Sequence, residues 1–459
     1  MARTFGRFGR PSPFGGVFPR LMGLHFHRCK WSHKLAALIG AVALVVLPAK
    51  FPQTHGFVPH LMTSPQAGVR HARSSIVYSP QPDVGAGADV SAARAAAIRR
   101  HAVARASVSQ SSAIVADLPY YGSVEPPAYP GRAEDRFWTW RGYQVRYQRF
   151  SAETAMRGQG EGRKGTVLLI HGFGGNAEHW RKNAPVLAAA GYEVFALDLL
   201  GYGFSAKPDP KSTTPLRVDP SMPERFYNIL MWAEQAGDFL TEVCGLTSNA
   251  NRNEGAFVIT NSVGSSVGLQ MAVEYPGLVR SVAILNPSLR MLHLSKQAPW
   301  ERPFVPAVQW VLRETDLGKF FYDIVATPTT VQTILQTIYP ANPDAVNEEL
   351  VDCILKPGLS SPNATRVFMD FISYSAGPLP EGQLAELGAA AAAGHRTPPV
   401  WIGWGTEDPW EPVGKGRELY AGLPAVKRFQ DLPSLGHCPM DEAPEVVNPF
   451  LLEFLEAHN

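Results

Sequence analysis

Ser262 stands in Thr260-Asn261-Ser262-Val263-Gly264, directly after an apolar run and ahead of the small residues Gly264, Ser265, Ser266 and Gly268. A neutral hydroxyl is a weak nucleophile. It becomes effective when an imidazole takes its proton and a carboxylate orients that imidazole. Downstream, Gly405-Thr406-Glu407-Asp408-Pro409 offers the acid and Leu435-Gly436-His437-Cys438-Pro439 the base. The chemistry open to this set is acyl transfer through an ester on Ser262, with His437 as base and Asp408 as its partner. Glu407, one residue away, is the competing acid, but a Gly-x-x-Asp-Pro turn at a strand end favours Asp408.

An acyl-transfer site also needs N–H donors for the developing oxyanion. In a strand-turn-helix nucleophile elbow one donor follows the nucleophile and another lies in the loop after an earlier strand. That selects Val263 and, in His171-Gly172-Phe173, Phe173. A phosphate-binding loop is the rival reading of this glycine-rich turn, yet neither a GxGxxG spacing nor a Lys-Ser/Thr pair follows. Ser262 taken alone fits an ordinary βα turn with a serine N-cap. The order Ser262, Asp408, His437 is what raises it above that reading.

The elements that must hold these residues are legible in the patterning. Phe137 to Trp140 and Gln144 to Tyr147, split by Arg141-Gly142, alternate as a hairpin. Thr166 to Ile170, Tyr192 to Leu197, Ala256 to Ile259, Ser281 to Leu285 and Val400 to Trp404 are continuous apolar runs separated by helical stretches. Strands of that kind alternating with helices predict an α/β fold, a mostly parallel, doubly wound sheet. The spacing places core at 134–286 and 395–459. Between them, 287–380 carries helical periodicity only, which predicts an inserted helical cap. Leu384 to Gly394, with alanines at 389–393, reads as a helix or a linker.

The cap holds Trp300, Phe304, Trp310, Phe320, Phe321, Tyr322, Tyr339, Phe368, Phe371 and Tyr374. That is enough apolar surface to line a slot for a long or flat hydrophobic ester. Trp300, Phe304, Phe320 and Phe321 are the substrate-binding candidates there, and His179-Trp180 joins them beside the oxyanion loop. Asp198 and Ser205 read as turn and loop formers. Metal-ligand spacing is absent from Cys29, Cys244, Cys353 and Cys438, which read as reduced thiols rather than a disulfide framework. Triad chemistry calls for no metal and no organic cofactor.

A net charge of +2 conceals two unlike parts. No acidic residue precedes Asp83, while ten basic residues do; the rest holds 32 basic and 40 acidic residues, a balance of −8. A body of that sign is a poor partner for a phosphate backbone, so nucleic acid is disfavoured. Residues 1–115 read as a targeting leader. Leu35 to Leu47 is an apolar run of 13, short of the about 20 a membrane span needs, and an acid-poor, Arg/Ser/Ala-rich stretch follows it. Phe57-Val58-Pro59 behind the run resembles the motif of plastid leaders in algae with complex plastids.

From about residue 134 onward the sequence resembles α/β-hydrolases, and more narrowly the plastid group that contains pheophytinase and chlorophyll dephytylase. HGFGGNAEHW at 171–180 and DLLGYGFSAKP at 198–208 are shared across the superfamily. NSVGS at 261–265, NEELVDCILKP at 347–357, GTEDPW at 405–410 and GHCPMDEAPEVVN at 436–448 carry the narrower likeness. The resemblance implies a serine esterase that hydrolyses the phytyl ester of a chlorophyll-type pigment in the plastid, in the stroma or at the thylakoid surface. Peripheral attachment to that membrane suits such a substrate. Two other readings stay open: a plastid esterase, lipase or acyltransferase on another lipid ester, and a non-catalytic protein using the fold as a ligand pocket. Epoxide hydrolases and haloalkane dehalogenases need a carboxylate where Ser262 stands.

Overall fold

The computed structural model describes residues 124–151, 164–247 and 254–459. The expected leader, with its apolar run, its Phe57-Val58-Pro59 motif and Cys29, lies outside the described residues. Eight strands form one sheet: β1 (Asp135–Trp140), β2 (Tyr143–Phe150), β3 (Gly165–Ile170), β4 (Tyr192–Leu197), β5 (Ala256–Ser262), β6 (Val279–Pro287), β7 (Val400–Gly405) and β8 (Val426–Leu432). Their order is β1-β2-β4-β3-β5-β6-β7-β8. The β1–β2 and β2–β4 pairs are antiparallel and the other pairs are parallel. The hairpin closes through Arg141 and Gly142, both at positive φ (50° and 84°), the backbone a two-residue hairpin turn requires.

Twelve helices accompany the described strands: α1 (Ala184–Ala189), α2 (Ile229–Glu242), α3 (Gly264–Glu274), α4 (Phe304–Glu314), α5 (Asp316–Val325), α6 (Pro328–Ile338), α7 (Glu348–Leu359), α8 (Ala364–Ile372), α9 (Pro380–Ala392), α10 (Val413–Tyr420), α11 (Pro439–Glu442) and α12 (Pro444–Ala457). The sheet is covered on both faces, which explains why its central strands read as unbroken apolar runs. Alternation within them sorts side chains between two cores. Leu168, Ile170 and Val258 enter one with Phe239 and Leu269, whereas Val167, Leu169 and Ile259 enter the other with Leu187 and Phe454.

Helices α4 to α8 are inserted between β6 and β7. Side-chain caps punctuate them: Thr315 accepts from Leu317 N–H, Thr327 from Thr330 N–H and Asn347 from Leu350 N–H. The alanine-rich stretch is helix α9, not a linker. Leu384 and Leu387 sit in the first core, and the Gln383 amide donates to the Ser266 carbonyl and to Gln270 Oε1, both at 2.8 Å.

Behind the loop after β3 lies a buried ionic cluster. The Arg146 guanidinium, on β2, donates to Asp135 at 2.6 Å and to Glu178, and it faces Asp198 at 3.2 Å. Asp198 also accepts from the N–H groups of Ala177 and Phe204, each at 2.7 Å. Ser205 Oγ donates to the Asp198 carbonyl and accepts from Arg146 N–H. Asp198 and Ser205 are the loop formers their setting predicts.

Candidate active site

β5 ends at Ser262, whose φ is +53°. This left-handed kink turns the side chain out of the sheet as the chain enters α3, and it demands empty space on every side. A Cβ on Gly264 would lie 2.5 Å from the His171 carbonyl oxygen, and one on Gly172 would lie 2.7 Å from Ser262 Cβ. Glycine at both positions lets the loop after β3 rest directly against the turn.

His437 Nε2 lies 2.9 Å from Ser262 Oγ, and His437 Nδ1 lies 2.7 Å from Asp408 Oδ2. All three residues are buried. Asp408 follows β7 and His437 follows β8, so three parallel strands deliver the three groups to one edge of the sheet. The exposed Glu407 stays out of this line; Asp408 is the acid within hydrogen-bond distance of His437. Burial pushes the Asp408 carboxyl up. The hydrogen bond and charge of His437, the Asn286 amide and the N–H of Glu411 outweigh that and hold it below its ordinary value. An ionised carboxylate at Nδ1 leaves Nε2 free to accept the serine proton.

The sequence reading missed three neighbours of this set. Asn286, at the end of β6 with φ +46°, donates to Asp408 Oδ2 at 2.8 Å and to the Gly436 carbonyl at 3.0 Å. It also accepts from Gly405 N–H at 3.1 Å. Trp410 lays its ring 5.1 Å from that of His437. Glu411 accepts from Ser288 Oγ at 3.0 Å, and burial pushes its carboxyl up to about 7 against the pull of His437 and Ser288. The available signals were an asparagine at a strand end, which tolerates positive φ, and the two residues after Asp408-Pro409.

Phe173 and Val263 flank Ser262 from two directions, one on the glycine loop and one at the start of α3. Among the described residues, no backbone carbonyl accepts from either N–H. The loop is anchored by His171, whose Nδ1–H donates to the Gly172 carbonyl at 2.8 Å while Nε2 accepts from Leu199 N–H at 3.1 Å. The Phe173 ring stacks on Phe371 at 5.1 Å and meets Phe368 at 5.1 Å and Tyr202 at 6.3 Å.

The substrate-binding candidates separate. Phe321 joins the Phe173 cluster through Phe368, 6.4 Å away. Trp300, Phe304 and Phe320 are 54%, 64% and 59% exposed, and no ring contact ties them to that cluster among the described residues. His179 and Trp180 are buried beneath the glycine loop; a Cβ on Gly175 would lie 2.8 Å from His179 Nδ1. Neither ring nitrogen of His179 nor Trp180 Nε1 has a hydrogen-bond partner among the described residues. Burial lowers the His179 pKa to about 4. Cys244, Cys353 and Cys438 are free thiols.

Residues 167–450 match the alpha/beta hydrolase family. The chain is 25% identical over 306 residues to the chloroplastic pheophytinase of Arabidopsis thaliana, a match covering 61% of this chain and 59% of that protein, less than two thirds of its length. It is 22% identical over 304 residues to the uncharacterized hydrolase YugF of Bacillus subtilis (strain 168), covering 65% and 92% respectively. Among solved structures, the epoxide hydrolase CorEH without ligand aligns at a TM-score of 0.50 and 18% identity, over 72% of this chain and all of that one; that likeness is one of fold alone. With a family match across more than half of the sequence and a sheet of the matching architecture, the chain belongs to the alpha/beta hydrolase family.

Proposed function

We propose that this chain is a serine ester hydrolase that removes the phytyl group from a chlorophyll-type pigment. The observation that carries the catalytic half is His437, held at 2.9 Å from Ser262 Oγ and 2.7 Å from Asp408 Oδ2. The pigment half is supported by similarity to a chloroplastic pheophytinase and by the motifs NSVGS, NEELVDCILKP and GHCPMDEAPEVVN. The helical segment 287–380 acts as the cap, and the leader directs the enzyme to the plastid.

His437 takes the Ser262 proton as Oγ attacks the ester carbonyl. The carbonyl oxygen gains charge against the N–H groups of Phe173 and Val263. Collapse breaks the bond to the alcohol oxygen, which leaves as phytol with the proton from His437 Nε2. Water then gives a proton to the same nitrogen and attacks the acyl-serine, and Ser262 recovers its proton as the pigment acid departs. Ser262, His437 and water account for every proton in both halves.

The test is incubation of the full chain with chlorophyll a, pheophytin a and p-nitrophenyl acetate, followed by chromatography, beside Ser262→Ala. Expected is phytol release that disappears in the folded Ser262→Ala protein. Cleavage of the short ester alone would keep the serine chemistry and remove the pigment. Undiminished turnover by Ser262→Ala would remove both.

A further inference from the structure

Trp410 is 49% exposed, on a main-chain turn that is tied to the triad acid. Its backbone N–H donates to Asp408 Oδ1 at 2.9 Å, and the backbone N–H of Glu411 donates to the same oxygen at 3.0 Å. The Glu411 carbonyl in turn accepts from Trp404 Nε1 at 2.9 Å. The main chain that carries the indole is thus held by the carboxylate that orients His437, and the ring centroid lies 5.1 Å from that of the imidazole with the planes at 54°. A tryptophan serving only as a wedge behind the imidazole would be covered. This one keeps half its surface open beside the triad.

Reaction geometry says which part of a substrate would cover it. The proton His437 removes from Ser262 must next reach the leaving oxygen, so that oxygen has to sit at Nε2 and the alcohol carbons must begin beside the imidazole. The acyl half lies across the elbow, where its carbonyl faces the glycine loop. Aromatic surface divides in the same way. Phe173, Tyr202, Phe368 and Phe371 contact one another on the loop side, while Trp410 stands open on the imidazole side. The other strongly exposed aromatics, Trp300, Phe304, Trp310 and Phe320, belong to the insertion or its approach and make no ring contact with His437 among the described residues.

We infer that Trp410 is a specificity-determining residue whose exposed indole face seats the leaving alcohol, selecting esters of long apolar alcohols. The inference rests on the serine-hydrolase reading above and deepens it: it assigns the alcohol half of the ester to a residue outside the triad. Covering half an indole with an apolar chain removes enough surface from water to change affinity about tenfold.

The experiment holds the acyl group constant and varies the alcohol. Full-length wild type, Trp410→Ala and Trp410→Phe are assayed on methyl, hexyl and geranyl acetate. In parallel, they are assayed on methyl esters of acetic, hexanoic and decanoic acid. The expected result is that Trp410→Ala lowers the kcat/KM ratio of geranyl over methyl acetate about tenfold, through KM, and leaves the acid series in its wild-type order. Trp410→Phe should restore most of the ratio. Equal losses on every alcohol would make Trp410 a support for His437, and a change that follows acid length would put it on the acyl side; either overturns the inference. Calorimetric binding of geraniol, which needs no turnover, should weaken about tenfold in Trp410→Ala, and unchanged binding would also overturn it. Turnover persisting in Ser262→Ala would defeat the serine chemistry alone, because the geraniol measurement stands apart from it.

Discussion

The Asn261 side-chain amide donates to the main-chain carbonyl of His437 at 3.1 Å and to that of Leu285 at 3.1 Å. The residue before Ser262 therefore ties down the loop that carries His437. The proposed nucleophile and base are held in register by a bond that belongs to neither side chain. Asn261→Ala leaves two buried carbonyls without their donor, and a stability loss of about 1–3 kcal/mol is expected. Turnover should fall by more than stability explains, about tenfold in kcat, because the distance between Ser262 and His437 is freed. Urea unfolding beside steady-state kinetics separates the two; full kcat in the variant would refute the coupling.

The contrast between Asn261 and Asn286 shows what a sequence can disclose. The strands, the turn at Ser262 and the proposed order of serine, acid and base were visible because each is written in local pattern: apolar runs, small residues after Ser262, and turns at Asp408 and His437. The preference for Asp408 over Glu407 was also local, resting on the Gly-x-x-Asp-Pro turn after β7. Asn286, Trp410 and Glu411 act across strands, from β6 to the β7 loop and from that loop to the β8 loop. No periodicity records such pairings. Composition counts the apolar residues of the insertion without saying which of them stay open: Trp300, Phe304 and Phe320 are exposed, whereas Phe321 joins the Phe173 cluster.

His179 makes folding acid-sensitive. Its pKa is lowered to about 4 by burial, while an unfolded imidazole titrates near about 6.5. Between these values the unfolded chain binds the extra proton, so stability rises with pH across the window and is lost as pH falls through it. The contribution is about 3 kcal/mol when complete. His179→Phe should flatten the stability profile between pH 4 and 6.5, measured by denaturant unfolding at a series of pH values. An unchanged slope would show that His179 is not the group responsible.

Arg146, fully buried, faces three carboxylates. Arg132 still pairs with Asp135 at 2.7 Å and with Glu178 at 2.9 Å, so Arg146→Met leaves Asp198 as the buried charge without its guanidinium, and a loss of about 3 kcal/mol is expected. Glu178 caps no helix of its own, but its neighbour Asn176 begins the turn that carries His179. Hydrogen exchange should therefore report opening first at the β1–β2 hairpin and at residues 176–180. Uniform loss of protection across the sheet would contradict a local role.

Two glycines provide opposite controls on close packing. Gly264→Ala places a Cβ 2.5 Å from the His171 carbonyl oxygen, so the loop after β3 must shift, costing about 1–3 kcal/mol and most of the activity. Gly382, in α9, has open space within 4 Å of the same position, and Gly382→Ala should add about 0.5–1 kcal/mol. Thermal melts of both proteins check the pair; matching shifts of one sign would disprove the steric reading.

The kink at Ser262 has an evolutionary consequence. An L-residue at φ +53° bears about 1–2 kcal/mol that glycine does not. Ser262→Gly should therefore yield a protein that melts about 2 °C higher and lacks the proposed ester turnover. Selection for durability alone would favour that replacement, since the hydroxyl is maintained against the fold's own preference. A lineage of this protein that no longer needed turnover would drift toward glycine at 262 without passing through an unstable intermediate, and the scaffold would outlast its chemistry as an inert shell.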